Sequence, residues 1–361
     1  MMKKLYTFLC ICGLLLSGSL SIQAAAPADA AAQASASTQA DAGRILLQHQ
    51  GIIAHSFAPA DMAKAMEQAA EGDTLWLTNG TYPSQFTISK SVSIIGADAT
   101  YINCQGSNDC ITLKSASTDS LKVNLENLNA TSTNGLRIEI YNNMEDGNYY
   151  SLSHPVKLSL YKSRILEIRS SHGTYAKANI SCNRCLITYL TALREPAQAL
   201  LTNCEVMNLG DCDNIQANHC YIKNLQQIDQ SMITNSIIGT ISSKDFDGNE
   251  GSGTASSVIT NSLYNSTDQV YALQNCILIK EPLLGNTLPF SCKFTHDQLV
   301  ANSYLGNDGT VVGILGGSVP SNITDEATLL SPANRPQISN ASVSWEENQK
   351  KVKVNAKVTA K

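Results

Sequence analysis

LENLNA (125–130), YKSRI (161–165), NRCLI (183–187), TNCEV (202–206), NHCYI (218–222), TNSII (234–238), TNSLY (260–264) and QNCIL (274–278) are eight versions of one short phrase. Their aligned central residues are Leu128, Ser163, Cys185, Cys204, Cys220, Ser236, Ser262 and Cys276, at steps of 35, 22, 19, 16, 16, 26 and 14 residues. Immediately before the centre stands Asn127, Lys162, Arg184, Asn203, His219, Asn235, Asn261 or Asn275. Two residues after it the side chain is mostly aliphatic, as in Ile165, Val206, Ile222 and Ile238, and three before it is again mostly apolar, as in Leu160, Leu201 and Ile233. Positions 0 and +2 share one face of a strand, so the Cys/Ser column and the aliphatic column both point inward. The asparagine interrupts this alternation. Asparagine tolerates the left-handed conformation that a tight bend between strands requires, and stacked carboxamides can hydrogen-bond from coil to coil. Strands that recur in this way and stack on one another form a parallel β-solenoid. The irregular step argues against a left-handed hexapeptide helix, which keeps a strict period.

Composition agrees with a β-rich chain. Of 361 residues, 43% are hydrophobic, enough for a substantial core, and 15% are charged, against about 25% in an average soluble domain. There are 30 asparagines. The balance of 25 basic and 30 acidic residues excludes nucleic-acid binding through bulk positive charge.

The N-terminus reads as a secretory signal peptide over residues 1–24. Lys3 and Lys4 form a basic start, residues 5–16 are apolar, and small residues follow around Ala24. The apolar run is too short to span a bilayer. Cys10 and Cys12 sit inside it, not at a lipoprotein position after it. The expectation is a soluble exported protein, periplasmic, cell-surface or extracellular, with no transmembrane segment in the mature chain. Nine of the 11 cysteines lie beyond the signal, so at least one thiol stays free. Cys104 and Cys110 flank a turn-like loop; they either close it as a disulfide or remain two free thiols.

An Ala/Ser/Gln tract from residue 25 to about 43 reads as a flexible linker, which we extend over 25–50. DMAKAMEQAA (61–70) predicts a helix N-capped by Asp61 and ended by Gly72, with Met62, Ala65, Met66 and Ala69 on one apolar face. A strand, a turn and a second strand over 86–95 follow. The solenoid with its cap occupies 51–320. Two alternating runs, 338–345 and 351–358, predict a β-hairpin in the segment 321–361.

The segment DMAKAMEQAAEGDTLWLTNGTYPSQFTISKSVSIIGAD (61–98) resembles the N-terminal cap and first coil of right-handed parallel β-helix, pectin-lyase-like proteins. A later stretch, Gly306-Asn307-Asp308-Gly309-Thr310 through Gly313, Gly316, Gly317 and Pro320, resembles the tail after such helices in exported proteins of Bacteroidetes-type bacteria. The resemblance implies an all-β, single-stranded right-handed parallel β-helix with an N-terminal capping helix and a C-terminal β-hairpin. It also implies contact with polysaccharide or a cell-surface glycan.

Hydrolases of that fold carry paired acidic motifs, and none stands here; Ser171-His172-Gly173 matches one of them only in passing. Lyases of that fold use a Lys or Arg base, often with Ca²⁺. The candidates for such a base are Lys162, Arg164, Arg184 and His219, with Arg169 and His172 nearby. Lys162, Arg184 and His219 fall in the bend column, where the plainer reading makes them exposed substitutes for asparagine. Asp245, Asp247, Asn249 and Glu250, in the longest late insertion, space oxygen ligands as a Ca²⁺ loop would, although the pattern departs from the EF-hand form; the plainer reading is a solvated loop. Cys182 and Cys185 read as core packing if the bend between them turns both inward. Tyr149 and Tyr150 could stack on sugars or pack their loop down. The chain is therefore expected to be an exported cell-envelope or secreted protein, a non-catalytic polysaccharide-binding, adhesion or structural protein. The alternative is a polysaccharide lyase or related carbohydrate-active enzyme.

Overall fold

The 16-residue steps of the central repeats set the cross-section of the fold. One coil runs up a strand (Gln198–Thr202), turns at Asn203, follows a long strand (Glu205–Asp213), turns again at Asn214, and re-enters the first sheet as Ile215–Asn218. Repetition of this path builds a 12-stranded and a 10-stranded sheet, with a short 3-stranded sheet beside the first coils. Pairing is parallel and in register from coil to coil, for example Leu201 on Ala217 and Val206 on Ile222. The expected parallel β-helix is the fold of this chain. The computed structural model describes residues 43–320 and 337–359, apart from 98–99, 105–109, 115–119, 131–134, 142–143, 146–147, 150–154, 171–176, 194–196, 243, 245–255, 268–270, 319 and 347–350.

All eight residues assigned to the bend column adopt the left-handed conformation. Asn127, Lys162, Arg184, Asn203, His219, Asn235, Asn261 and Asn275 have φ between 46° and 57°. The other corners share no single residue type. Ala192, Asp211 and Gln227 kink the long strands at positive φ, and Asn214 and Gln230 turn the chain back to the first sheet. Sequence reading missed these corners because their side chains have no common chemistry.

The interior is one continuous apolar column. Ile165, Ile187, Val206, Ile222 and Ile238 are all buried. Beside them, serines use their hydroxyls to bond neighbouring coils. Ser236 Oγ accepts the Cys220 N–H at 3.1 Å and donates to the Thr234 carbonyl at 2.7 Å, and Ser262 repeats this one coil on. The cysteines are small apolar fillers. Cys204 and Cys220 are wholly buried, and burial pushes both thiols well above their usual range. Cys182 and Cys185 are also both buried, because Arg184 bends the chain between them. Cys276 is only half-buried, since the sheets end at its coil.

Helix α1 (Met62–Gln68) buries Met62, Ala65 and Met66 as expected, although Asp61 makes no side-chain cap bond. Three boundaries change, and one open cysteine pairing is decided. Ile45–His49 is a strand inside the first sheet, antiparallel to Thr74–Leu77, so the linker does not reach residue 50. The strand expected over 86–95 is two, Phe86–Ile88 and Val92–Gly96. No disulfide joins Cys104 and Cys110; Cys110 Sγ instead faces Glu139 and Thr112, at 3.7 and 3.6 Å. Residues 281–320, expected within the 51–320 solenoid, instead form a strap that includes helix α2 (His296–Ala301) and packs an apolar cluster against the second sheet. The C-terminal hairpin is present as Gln337–Glu346 paired with Lys351–Thr359, in a unit distinct from the solenoid.

Candidate functional site

The strap determines what the bend column can do. It lays Leu283, Leu284, Phe290, Leu299, Val311 and Ile314 against Tyr221, Ile237 and Leu263, which face outward from the second sheet. It then bonds the column itself. Asn203 Nδ2 donates to the Ile314 and Gly316 carbonyls at 3.1 and 3.0 Å. Asn235 donates to Asn307 Oδ1 at 2.9 Å and accepts the Asn307 N–H at 3.0 Å. Arg184 donates to the Pro320 carbonyl at 2.7 Å. Glycine lets the backbone come this close: a Cβ on Gly316 would fall 1.6 Å from the Val311 carbonyl oxygen and 2.8 Å from His219 Nδ1.

The expectation that Lys162, Arg184 and His219 are exposed is therefore corrected. They substitute for asparagine in backbone conformation, but their exposures are 7%, 9% and 1%. Lys162 lies over the Tyr161 ring at 5.4 Å. His219 contacts Asp308. Arg164 begins the adjoining strand (Arg164–Ser170), half-buried beside Leu186. These four candidates do not converge on one accessible point. Arg169 faces outward and is paired with both Glu139 and Glu167, at 3.6 and 3.7 Å. The Ca²⁺ candidates Asp245, Asp247, Asn249 and Glu250 lie outside the described residues, as do His172 and the side chains of Tyr149 and Tyr150. Among the described residues, no group of three or more His, Cys, Asp or Glu is arranged to hold a metal ion, and no helix is long and apolar enough to cross a membrane.

Two titratable groups hold the strap. Glu205 is 1% exposed and accepts the Phe290 N–H at 2.5 Å. Burial raises its pKa to about 7, against the lowering effect of that bond. Burial pushes the Asp308 carboxyl upward, but Thr310 and His219 outweigh it and hold the group below its ordinary value.

The accessible surface of the second sheet is different in character. Register aligns Cys110, Arg137, Glu167, Tyr189, Asn208 and Asn224 in one outward row, continued by Thr240 and Ser266. Its first half is charged and self-paired, with Arg137 on Glu167 at 3.3 Å. Its second half is uncharged. There Tyr189 is 41% exposed, and Asn224 Nδ2 donates to Asn208 Oδ1 at 2.8 Å. The parallel row Thr191, Gly210, Gln226 and Ser242 is also uncharged. Sequence reading missed this surface, but the signal was present. Tyr189, Asn208, Asn224, Thr240 and Ser266 all stand four residues after the aligned centre.

No protein-family model, no curated protein and no solved structure matches this chain.

Proposed function

We propose that this chain is an exported cell-envelope or secreted β-helix protein that binds polysaccharide without cleaving it. The signal-peptide reading of residues 1–24 and the pectin-lyase-like resemblance of 61–98 support export and a glycan partner. One observation carries the non-catalytic part. Of the basic residues that a lyase would use as base or cation, Lys162, Arg184 and His219 are buried at corners, Arg164 is half-buried on the adjoining strand away from them, and Arg169 is paired with carboxylates. The accessible face offers instead an exposed aromatic ring beside stacked carboxamides, groups that stack on and hydrogen-bond to sugars without activating a proton.

Co-sedimentation with a panel of insoluble polysaccharides, followed by absorbance of unsaturated uronate products with and without Ca²⁺, tests this reading. Retention on at least one polysaccharide with no product supports it. A Ca²⁺-dependent rise in product absorbance overturns it in favour of the lyase.

A further inference from the structure

We infer that the polysaccharide is an uncharged, extended chain lying along the solenoid axis, across the row Tyr189, Asn208, Asn224, Thr240 and Ser266; this rests on the glycan-binding reading above. Charge is the first ground. A uronate or sulfated chain carries a negative charge on each repeat and needs cations to meet it. Over the coils from Tyr189 to Ser266 neither outward row contains a charged residue. The two arginines at the other end of the row, Arg137 and Arg169, are each paired with glutamates. Lys223, directly before Asn224, has its ammonium on the Leu284 carbonyl at 2.7 Å, and Asp211, Asp213 and Asp229 stand on the same strands, so an anionic chain would lose water along this face and gain little opposite charge.

Hydrogen-bonding capacity is the second ground. Hydroxyl groups of a neutral sugar both donate and accept, and the face offers groups of the same double character. Down the axis the row carries a phenol at Tyr189, carboxamides at Asn208 and Asn224, and hydroxyls at Thr240 and Ser266. Geometry is the third. Successive side chains in the row repeat at the strand spacing of about 4.8 Å, close to the rise of one sugar in an extended chain. Tyr189 supplies a ring at one end on which a sugar face can stack. Gly210 leaves the middle of the neighbouring row without a side chain, so the surface is recessed there. Together these features favour a linear backbone of neutral hexoses or pentoses, with a hydroxyl edge turned to the carboxamides.

Calorimetric titration of the full chain with neutral hexasaccharides (β-linked glucose, mannose and xylose) and with hexagalacturonate tests the inference. The expected result is binding of at least one neutral hexamer, with affinity nearly unchanged between low salt and about 0.5 M NaCl, where surface charge is screened. Tyr189→Ala should weaken that binding about tenfold, as loss of one aromatic stack does. Tyr101→Ala, on another face, should leave it unchanged. Tighter binding of hexagalacturonate that collapses with added salt would overturn the neutral class while leaving glycan binding intact. Binding of neither oligomers nor any polysaccharide in the co-sedimentation panel would overturn both.

Discussion

His219 Nε2 lies 2.8 Å from Asp308 Oδ2, while the other ring nitrogen faces the Gly313 carbonyl at 3.3 Å. A histidine at a solenoid corner is thereby tied at both ends to one strap, across 89 residues of sequence.

This pairing predicts acid sensitivity. Asp308 is held below its ordinary value, so its contribution is present at neutral pH and is lost as pH falls through that depressed value. Limited proteolysis between residues 300 and 317 should accelerate on strong acidification before the solenoid unfolds. Asp308→Asn should show the faster cleavage already at neutral pH. Equal cleavage of both proteins at every pH would contradict the role of the pair.

Glu205 predicts the opposite slope. Its pKa is raised from 4.5 to about 7, so its contribution is complete below about 4.5 and disappears as pH rises through about 7. The effect is of order 3 kcal/mol at most. Glu205→Gln keeps an acceptor for the Phe290 N–H and removes the charge. The melting temperature of the native chain should fall between about pH 4.5 and pH 7.5 by more than that of the variant; parallel curves would refute the assignment.

Lys162 has φ 46°, where a side chain with a Cβ is strained. Lys162→Asn should therefore be neutral or stabilising by up to about 1 kcal/mol, and Lys162→Val should be destabilising. Denaturant midpoints give the order. A stabilising valine would mean that the corner does not constrain its residue.

Ile222 is fully buried between Val206 and Ile238 of the neighbouring coils. Those coils are fixed in register and cannot collapse into a cavity, so Ile222→Ala should cost about 2–5 kcal/mol. An unchanged melting temperature would be incompatible with that packing.

How much was legible follows from where each signal lay. The asparagine column was readable because left-handed backbone selects few residue types, and all eight positions adopt that conformation. The corner at Ala192, Asp211 and Gln227 was not, because no shared side chain marks it. The fate of His219 and Arg184 was hidden for another reason. Their burial depends on partners 89 and 136 residues away, and a repeat shows only what lies within its own period. The Tyr189 row, at +4, was hidden because it faces solvent between inward residues at +2 and +5, where Leu190, Leu209 and Leu225 are buried.

Hydroxyl-radical footprinting with bound polysaccharide tests the central claim most directly, because the protein supplies a matched control. Tyr189 and Tyr101 are 41% and 42% exposed and lie on different sheets. The account predicts that a saturating neutral polysaccharide suppresses oxidation of Tyr189 and leaves that of Tyr101 unchanged. Suppression at Tyr101 alone, or equal oxidation of both rings with polysaccharide bound, would contradict it.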